Sequence, residues 1–428
     1  MTRIIDFIKK YWQPIVLVLL VIIFWNPILF NNKFFYDDWD FIKVFESGSF
    51  SVKYLFTPHN EHLMLIFKPV FFISYRIFGA NIVPPMVLAI LLHIVNTLLF
   101  YLLCTYIFKD KKWIPFVTTL IFSLNSVYYE VLHWFTVFNT ALALFFLLLT
   151  LIFMQRYFES KKIKYAVTSV IASFFIPMGF SLGILGLFFI IAYYYGILKK
   201  TFAFKTLKDD VRFLAPYFIV WILFMVIYYF FVYAHLAGSG SSFAINLNPQ
   251  IIGQYILMGF LGTVGKSFAL SIFSYPLALL LGILLLINTI ILAYLLFLYF
   301  ILNPRPDRVS MLNDRGVVFF GAVGLLLSYG VLAAARSFVS TDALLNWGRY
   351  HYFPYIFLCI LMGNFWPSLA KILEKLFDPK RLRIFASIIL ILFLLIHLIT
   401  IRYKAFSIIR TEGNLRRETP KIACINPL

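Results

Sequence analysis

Long apolar runs follow one another from Pro14 almost to the end of this chain, and they leave it few ways to fold. Most are about 17 to 25 residues long, the length an α-helix needs to cross a hydrocarbon layer about 30 Å thick. Eleven spans are drawn on this basis, at 13–30, 83–108, 113–128, 137–155, 165–180, 182–198, 213–235, 276–302, 317–334, 354–370 and 384–401. The expected fold is an all-α polytopic membrane protein, with 1–428 as a single integral membrane domain. Its 62% apolar and 13% charged residues are far from the roughly 45–50% and about 25% of soluble domains, which excludes a water-soluble fold.

Charge placement orients the spans. Arg3, Lys9 and Lys10 precede the run from Pro14 to Phe30, and no small-residue cleavage pattern precedes Asn31. The first run is therefore expected to stay as a transmembrane helix with its N-terminus in the cytoplasm. Of the 37 Lys and Arg residues, 23 then fall in cytoplasmic segments, 8 in outer loops and 6 in the tail at 402–428. That asymmetry is the positive-inside bias, so the net charge of +19 reflects topology and calls for no nucleic-acid partner. The tail runs against the bias, because an odd number of spans puts its Arg402, Lys404, Arg410, Arg416, Arg417 and Lys421 outside. Cys104, Cys359 and Cys424 show no spacing of a disulfide or zinc framework.

Two further apolar stretches are punctuated by charge or glycine. The stretch 251–273 contains Gly253, Gly259, Gly262, Gly265 and Lys266 and is expected to be interfacial or re-entrant. The stretch 63–79, with Lys68 and Arg76, is expected to lie along the outer surface. It completes a first outer loop at 31–82, long enough to be functional rather than connective.

That loop carries Asp37, Asp38 and Asp40 in FFYDDWDFIKVF, just beyond the first span. A positioned carboxylate can take a hydroxyl proton, and neighbouring acids push one another's pKa apart. Solvated loop acids among interface aromatics are the ordinary alternative. His59, Asn60, Glu61 and His62 follow as a polar cluster suited to a metal, an acceptor or a helix cap. His93 and Asn96 share one face of the second span, where they must face protein, either as helix–helix hydrogen bonds or toward substrate. Glu130 and His133 lie in a short outer loop beside the aromatics Tyr128, Tyr129 and Trp134. Arg336, Arg349 and His351 return to the outer face before the tenth span, where arginine suits either a lipid phosphate or snorkelling.

Taken in order, these residues resemble the GT-C superfamily of membrane glycosyltransferases, which includes protein mannosyltransferases and aminoarabinose transferases. The acidic pair after the first span is Asp37-Asp38 here. HNEH, KPVFFISYRIFG and PPMVLAILLHIVNTLLF are similar to the first loop and second span of bacterial members and of TMTC mannosyltransferases, with Lys68-Pro69 where many have Arg-Pro. Arg349-Tyr350 looks like the Arg-Tyr that opens a late span in many members.

The resemblance implies a polyprenyl-phosphate-linked sugar donor entering from the bilayer and an acceptor (glycan, lipid or protein) on the non-cytoplasmic side. Asp37 or Asp38 would be the base, and Arg349 with Tyr350 would meet the donor phosphate, with Arg336 and Lys266 as further cations. Asp40, His59, Glu61, His62, His93, Asn96, Glu130 and His133 would support the site. Some members need a divalent cation and others do not. The expected location is a bacterial inner membrane. A lipid-linked saccharide transporter or flippase, and an arginine-centred polysaccharide polymerase or ligase, are the competing classes. The chain shows no internal repeat of the kind transporters carry.

Overall fold

The computed structural model describes residues 2–30, 33–60, 62–109, 111–200, 207–234, 248–267, 308–336, 348–374 and 378–418. The described residues are helical with no strand, apart from one isolated bridge between His59 and His62. Among the described residues, seven helices are long and apolar enough to cross a membrane: Lys10–Phe30, Val83–Ile107, Phe135–Ser160, Leu182–Lys199, Leu207–Tyr233, Arg315–Ala334 and Pro379–Ala405. The described part is thus all-α, and its apolar helices fit the multi-pass character expected from the apolar runs. The run at 276–302 lies outside the described residues.

The first helix, α1 (Thr2–Trp25), ends in a 3-10 turn at Asn26–Phe30. The loop that follows folds into three short helices, α2 (Asp38–Glu46), α3 (Val52–Phe56) and α4 (Phe67–Phe78). Helix α4 buries Phe67, Lys68 and Phe71 while Ile73, Ile77 and Phe78 stay exposed. It ends at Gly79, whose φ of 64° is open to glycine at no steric cost. The stretch 63–79, expected to lie along the outer surface, contains this helix.

Proline at its first turn starts α5 (Val83–Ile107), since the ring presets φ and the missing N–H has no partner there anyway. The chain returns through α6 (Ile114–Ser123), which spans only 10 residues. It stops because Asn125 adopts an extended conformation (φ −75°, ψ 128°) and its side chain caps the Val127 N–H at 2.9 Å. The break exposes the Ser123 carbonyl, which would cost several kcal/mol unpaired in an apolar medium. Two side chains satisfy it: Trp25 Nε1 donates at 3.0 Å and His93 Nε2 at 2.9 Å.

With Nε2 donating, His93 Nδ1 accepts from Tyr352 Oη at 3.1 Å, and Asn96 Nδ2 donates to the same hydroxyl at 3.3 Å and to Ala141 O at 2.9 Å. His93 and Asn96 therefore join four parts of the bundle. The helix–helix alternative for these two residues is the one the structure builds.

After the break come a 3-10 turn at Ser126–Tyr128, α7 (Tyr129–His133) and a second 3-10 turn at Phe135–Val137. Then follow α8 (Phe138–Ser160), α9 (Ile163–Gly179), α10 (Gly186–Tyr193), α11 (Leu207–Tyr228) and α12 (Pro249–Ser267). The chain ends its described course in α13 (Arg308–Arg336), α14 (Tyr352–Leu373) and α15 (Pro379–Glu418). Helix α12, the stretch expected to be interfacial or re-entrant, packs on α13 and on the turn at Ser126–Tyr128. The Thr263 hydroxyl on α12 meets His351 Nδ1 at 2.9 Å.

One end of the bundle carries the first loop and the 124–137 segment. The other carries the Trp12–Trp113 contact, with ring centroids 5.4 Å apart, and the Lys109–Glu159 ion pair at 2.8 Å.

Replacing His93 by Leu removes the bond to Tyr352 and one of the two donors to the Ser123 carbonyl. Interhelical hydrogen bonds in membranes are worth about 0.6–1.7 kcal/mol. A loss of about 1 kcal/mol in reversible unfolding in mixed detergent is expected, and unchanged stability would contradict the bridging role.

Candidate functional site

The acidic pair is placed by a parallel register between the first loop and the segment after α6. The Phe35 ring meets His133 at 4.5 Å and the Tyr36 ring meets Trp134 at 5.3 Å. Asp38 then meets Thr136, whose N–H donates to Asp38 Oδ1 at 2.7 Å and whose hydroxyl donates to it at 2.5 Å. Asp38 Oδ2 accepts the Phe35 N–H at 3.0 Å. Adjacent residues of one loop are thus laid against adjacent residues of the other.

The two acids have different environments. Asp38 is fully buried, and burial raises its pKa to about 6 against the hydrogen bonds from Thr136, Phe35 and Phe135 that favour the charged form. Asp37 keeps 39% of its side chain exposed. His59 lowers its pKa most, with Nε2 at a long 3.5 Å from Asp37 Oδ2; burial opposes this, and the charges of His59, Arg349 and His62 add to it. Asp37 is accordingly an accessible, ionised carboxylate, and Asp38 is a buried anchor for the loop.

His59 is aimed by a tight turn. His59 and His62 exchange both backbone hydrogen bonds, at 2.9 and 3.0 Å, around Asn60 with φ at 52°. Tyr36 (φ 32°) and Met64 (φ 40°) are also left-handed, so three such non-glycine residues lie within this loop. Such backbone costs on the order of 1 kcal/mol or more each and persists where surrounding contacts over-determine it. The His62 ring stacks on Phe180 at 4.7 Å. Glu61 lies outside the described residues.

Arg349 arrives from the other end of the sequence in a 3-10 turn at Gly348–Tyr350. A Cβ at Gly348 would run into the Val127 carbonyl oxygen, so glycine permits the close approach that brings Arg349 to the 124–137 segment. The guanidinium lies over Trp134 at 4.9 Å and over Tyr350 at 5.3 Å. Glu130 Oε2 is 4.0 Å from Arg349 Nη1 and accepts the Arg349 N–H at 3.2 Å. Trp134 therefore sits between Tyr36, beside the acids, and Arg349.

Lys404 joins this group, although nothing in its sequence context singles it out. Helix α15 docks through His397, whose Nδ1 accepts the Ser126 N–H at 3.1 Å and lies 3.0 Å from the Ser126 hydroxyl. Two turns later, Lys404 Nζ lies over the Tyr129 ring at 5.8 Å, and its charge acts on Glu130 and His133. His133 is buried, and burial lowers its pKa to about 4. It is neutral at pH 7 and Nδ1 hydrogen-bonds the Tyr129 carbonyl at 3.0 Å.

Other residues singled out in the sequence go elsewhere. The Asp40 carboxylate is exposed and pairs with Lys43 at 3.9 Å. Tyr350 is buried. Lys266 and Arg336 end α12 and α13 with side chains outside the described part. Lys68 is buried, and burial lowers its pKa to about 8; it donates to the carbonyls of Tyr54 at 2.9 Å, Leu55 at 3.3 Å and Thr57, closing the end of α3. Among the described residues, no three His, Cys, Asp or Glu side chains form a group able to hold a metal ion.

No protein-family model, curated protein or solved structure matches this chain. The site is read from its own geometry.

Asp38→Asn would turn an amide NH₂ toward the donors that now serve a carboxylate. A loss of about 1–3 kcal/mol in detergent unfolding is expected, against about 0.5 kcal/mol or less for the half-exposed Asp37→Asn. Equal effects would refute the anchor role. The pKa of Asp38 also fixes a pH dependence. Its folded value of about 6 lies above the ordinary 3.8, so between these values the unfolded chain releases the proton first and stability falls as pH rises. Asp37, with its lowered pKa, acts only below that window. The stability lead of wild type over Asp38→Asn should narrow from pH 4 toward pH 6.5, and a constant difference would exclude this titration.

Proposed function

We propose that this protein is a GT-C-type membrane glycosyltransferase that moves a sugar from a polyprenyl-phosphate carrier to an acceptor hydroxyl at the non-cytoplasmic face. The observation that carries the reading is the meeting of two parts from opposite ends of the sequence. An accessible, ionised Asp37 just after the first span lies within the field of Arg349, and both are tied to Trp134 through Tyr36 and the guanidinium. A base facing a phosphate-binding cation is what transfer from a lipid phosphate requires.

Asp37 is the base and Asp38 positions it. By pKa alone Asp38 is closer to neutrality, yet a general base must reach the proton it takes, and geometry ranks before pKa. The acceptor oxygen attacks the anomeric carbon, its proton passes to Asp37, and the bond from that carbon to the phosphate oxygen breaks. The electron pair leaves on the phosphate, which Arg349 stabilises through its guanidinium fork. His59 orients the Asp37 carboxylate from its closed turn. A bacterial inner membrane is the proposed location.

The arginine-centred polymerase or ligase draws support from the same Arg349, and the carboxylate separates the two. With membranes supplied with polyprenyl-phosphate-linked sugars at matched expression, Asp37→Asn should lower transfer by about 10²–10⁴-fold while donor binding is retained. Transfer at the wild-type rate by Asp37→Asn would remove the base and favour the arginine-centred chemistry. Movement of the donor across the membrane without a new glycosidic bond would identify a transporter.

A further inference from the structure

We infer that Tyr36 is the acceptor-binding platform of this site and that the acceptor is a glycan, one of whose sugar rings stacks on Tyr36 and presents a hydroxyl to Asp37. The inference rests on the reading above and names the acceptor class which that reading leaves open.

Tyr36 differs from the residues on either side of it. Phe34 and Asp38 are buried and Phe35 packs on His133 at 4.5 Å, yet Tyr36 is 77% exposed. Its backbone is left-handed, with φ at 32°, a conformation that is rare for a bulky side chain and persists where flanking contacts hold it. Those contacts are present. The Phe35 N–H donates to Asp38 Oδ2 at 3.0 Å, and Asp38 Oδ1 accepts the Thr136 N–H at 2.7 Å. The loop is pinned before and after Tyr36, and the strained residue carries its ring at the surface. A lone exposed aromatic needs no explanation. One that is held in strained backbone directly before an accessible, ionised carboxylate does, because such strain gathers at ligand-binding positions.

The surroundings of the ring indicate what it binds. Tyr36 meets Trp134 with centroids 5.3 Å apart and planes inclined at 50°, so the two rings form a corner rather than a stack. The indole Nε1 of Trp134 is buried with no hydrogen-bond partner among the described residues, a donor that calls for an acceptor. Asp37 follows Tyr36 in the chain with His59 at 3.5 Å, and the Arg349 guanidinium lies over the same indole at 4.9 Å. An aromatic corner rimmed by a carboxylate, an imidazole and a guanidinium suits a flat molecule with an apolar face and hydroxyls around its edge. A pyranose has that form: its C–H face packs on a π-system, and its hydroxyls both donate and accept.

The other acceptor classes find less here. An extended peptide binds by adding a strand to a sheet edge, and the described residues hold no strand beyond the single bridge between His59 and His62. A lipid alcohol brings a hydrocarbon chain to the base, where His59 and Arg349 are polar neighbours. An anchor at the headgroup level is the ordinary use of an exposed tyrosine, and it makes a different forecast: no soluble sugar binds, and removing the ring leaves acceptor affinity unchanged.

The test is saturation-transfer NMR on purified full-length protein in a sugar-free detergent, since a maltoside headgroup would compete for the ring. The probes are methyl α-glucoside, methyl α-mannoside, methyl β-N-acetylglucosaminide, a short threonine-containing peptide and dioleoylglycerol. At least one glycoside should bind wild type, with saturation strongest on the C–H protons of one face of the ring. Tyr36→Ala should weaken that binding about three- to tenfold, the weight of one aromatic contact. Tyr36→Phe and Tyr36→Trp should keep it, and an unfolding temperature near wild type for each variant controls for misfolding.

Equal glycoside binding by wild type and Tyr36→Ala, or no glycoside binding at all, would overturn this inference and leave the glycosyltransferase reading standing. A loss in Tyr36→Phe as large as in Tyr36→Ala would assign the contact to the hydroxyl and overturn the stacking platform. Preference of wild type for the peptide or for dioleoylglycerol would overturn the glycan assignment. Failure of wild-type membranes to form a glycosidic bond from polyprenyl-phosphate-linked sugars with any of these acceptors would overturn both readings.

Discussion

A single carbonyl oxygen, that of Ser123, is the constraint on which the rest of the arrangement depends. Non-helical backbone within an apolar layer is tolerated only where protein satisfies its polar groups. Asn125 stops α6 at Ser123, and Trp25 and His93 take up the freed carbonyl from two other helices. Because the helix ends there, the next residues are free to fold as turns at the loop end of the bundle. Those turns carry Glu130, Trp134 and Thr136, which hold Arg349, Tyr36 and Asp38 in turn. A straight continuation of α6 would have put the same residues around a cylinder, with no edge for the first loop to pair along.

The neighbouring aspartates show how one residue's shift in position changes its chemistry. Asp38 is buried, accepts hydrogen bonds from Thr136 and Phe35 and is raised by burial, whereas Asp37 is half-exposed and is held ionised by His59 and by Arg349. Sequence alone presents the pair as equivalent. Their division comes from the left-handed Tyr36 immediately before them and from the anchoring threonine.

The apolar runs made the all-α, multi-pass character legible, because length and hydropathy follow from the thickness of the layer to be crossed. The acid-bearing loop was legible for a similar reason: charged residues concentrated in a long connection stand out. The break at Asn125 was hidden, since the run around it stays apolar enough to pass for a span. Lys68 resembled a member of a family motif and proves to close α3 through three carbonyls. The register of Phe35, Tyr36 and Asp38 against His133, Trp134 and Thr136 is tertiary and leaves no periodic trace. Lys404 was counted with the charges of a tail, although the helix that bears it continues unbroken to Glu418.

That last helix bears on how the molecule comes into being. Asp37 leaves the ribosome well before Arg349 and Lys404. Until they emerge, the acidic loop and Glu130 stand without either cation. The site closes only when α15 docks His397 onto Ser126. Assembly is therefore ordered in time as well as in space, and a chain stopped before Gly348 holds Asp37 and Glu130 without the cations that later pack over Trp134 and Tyr129.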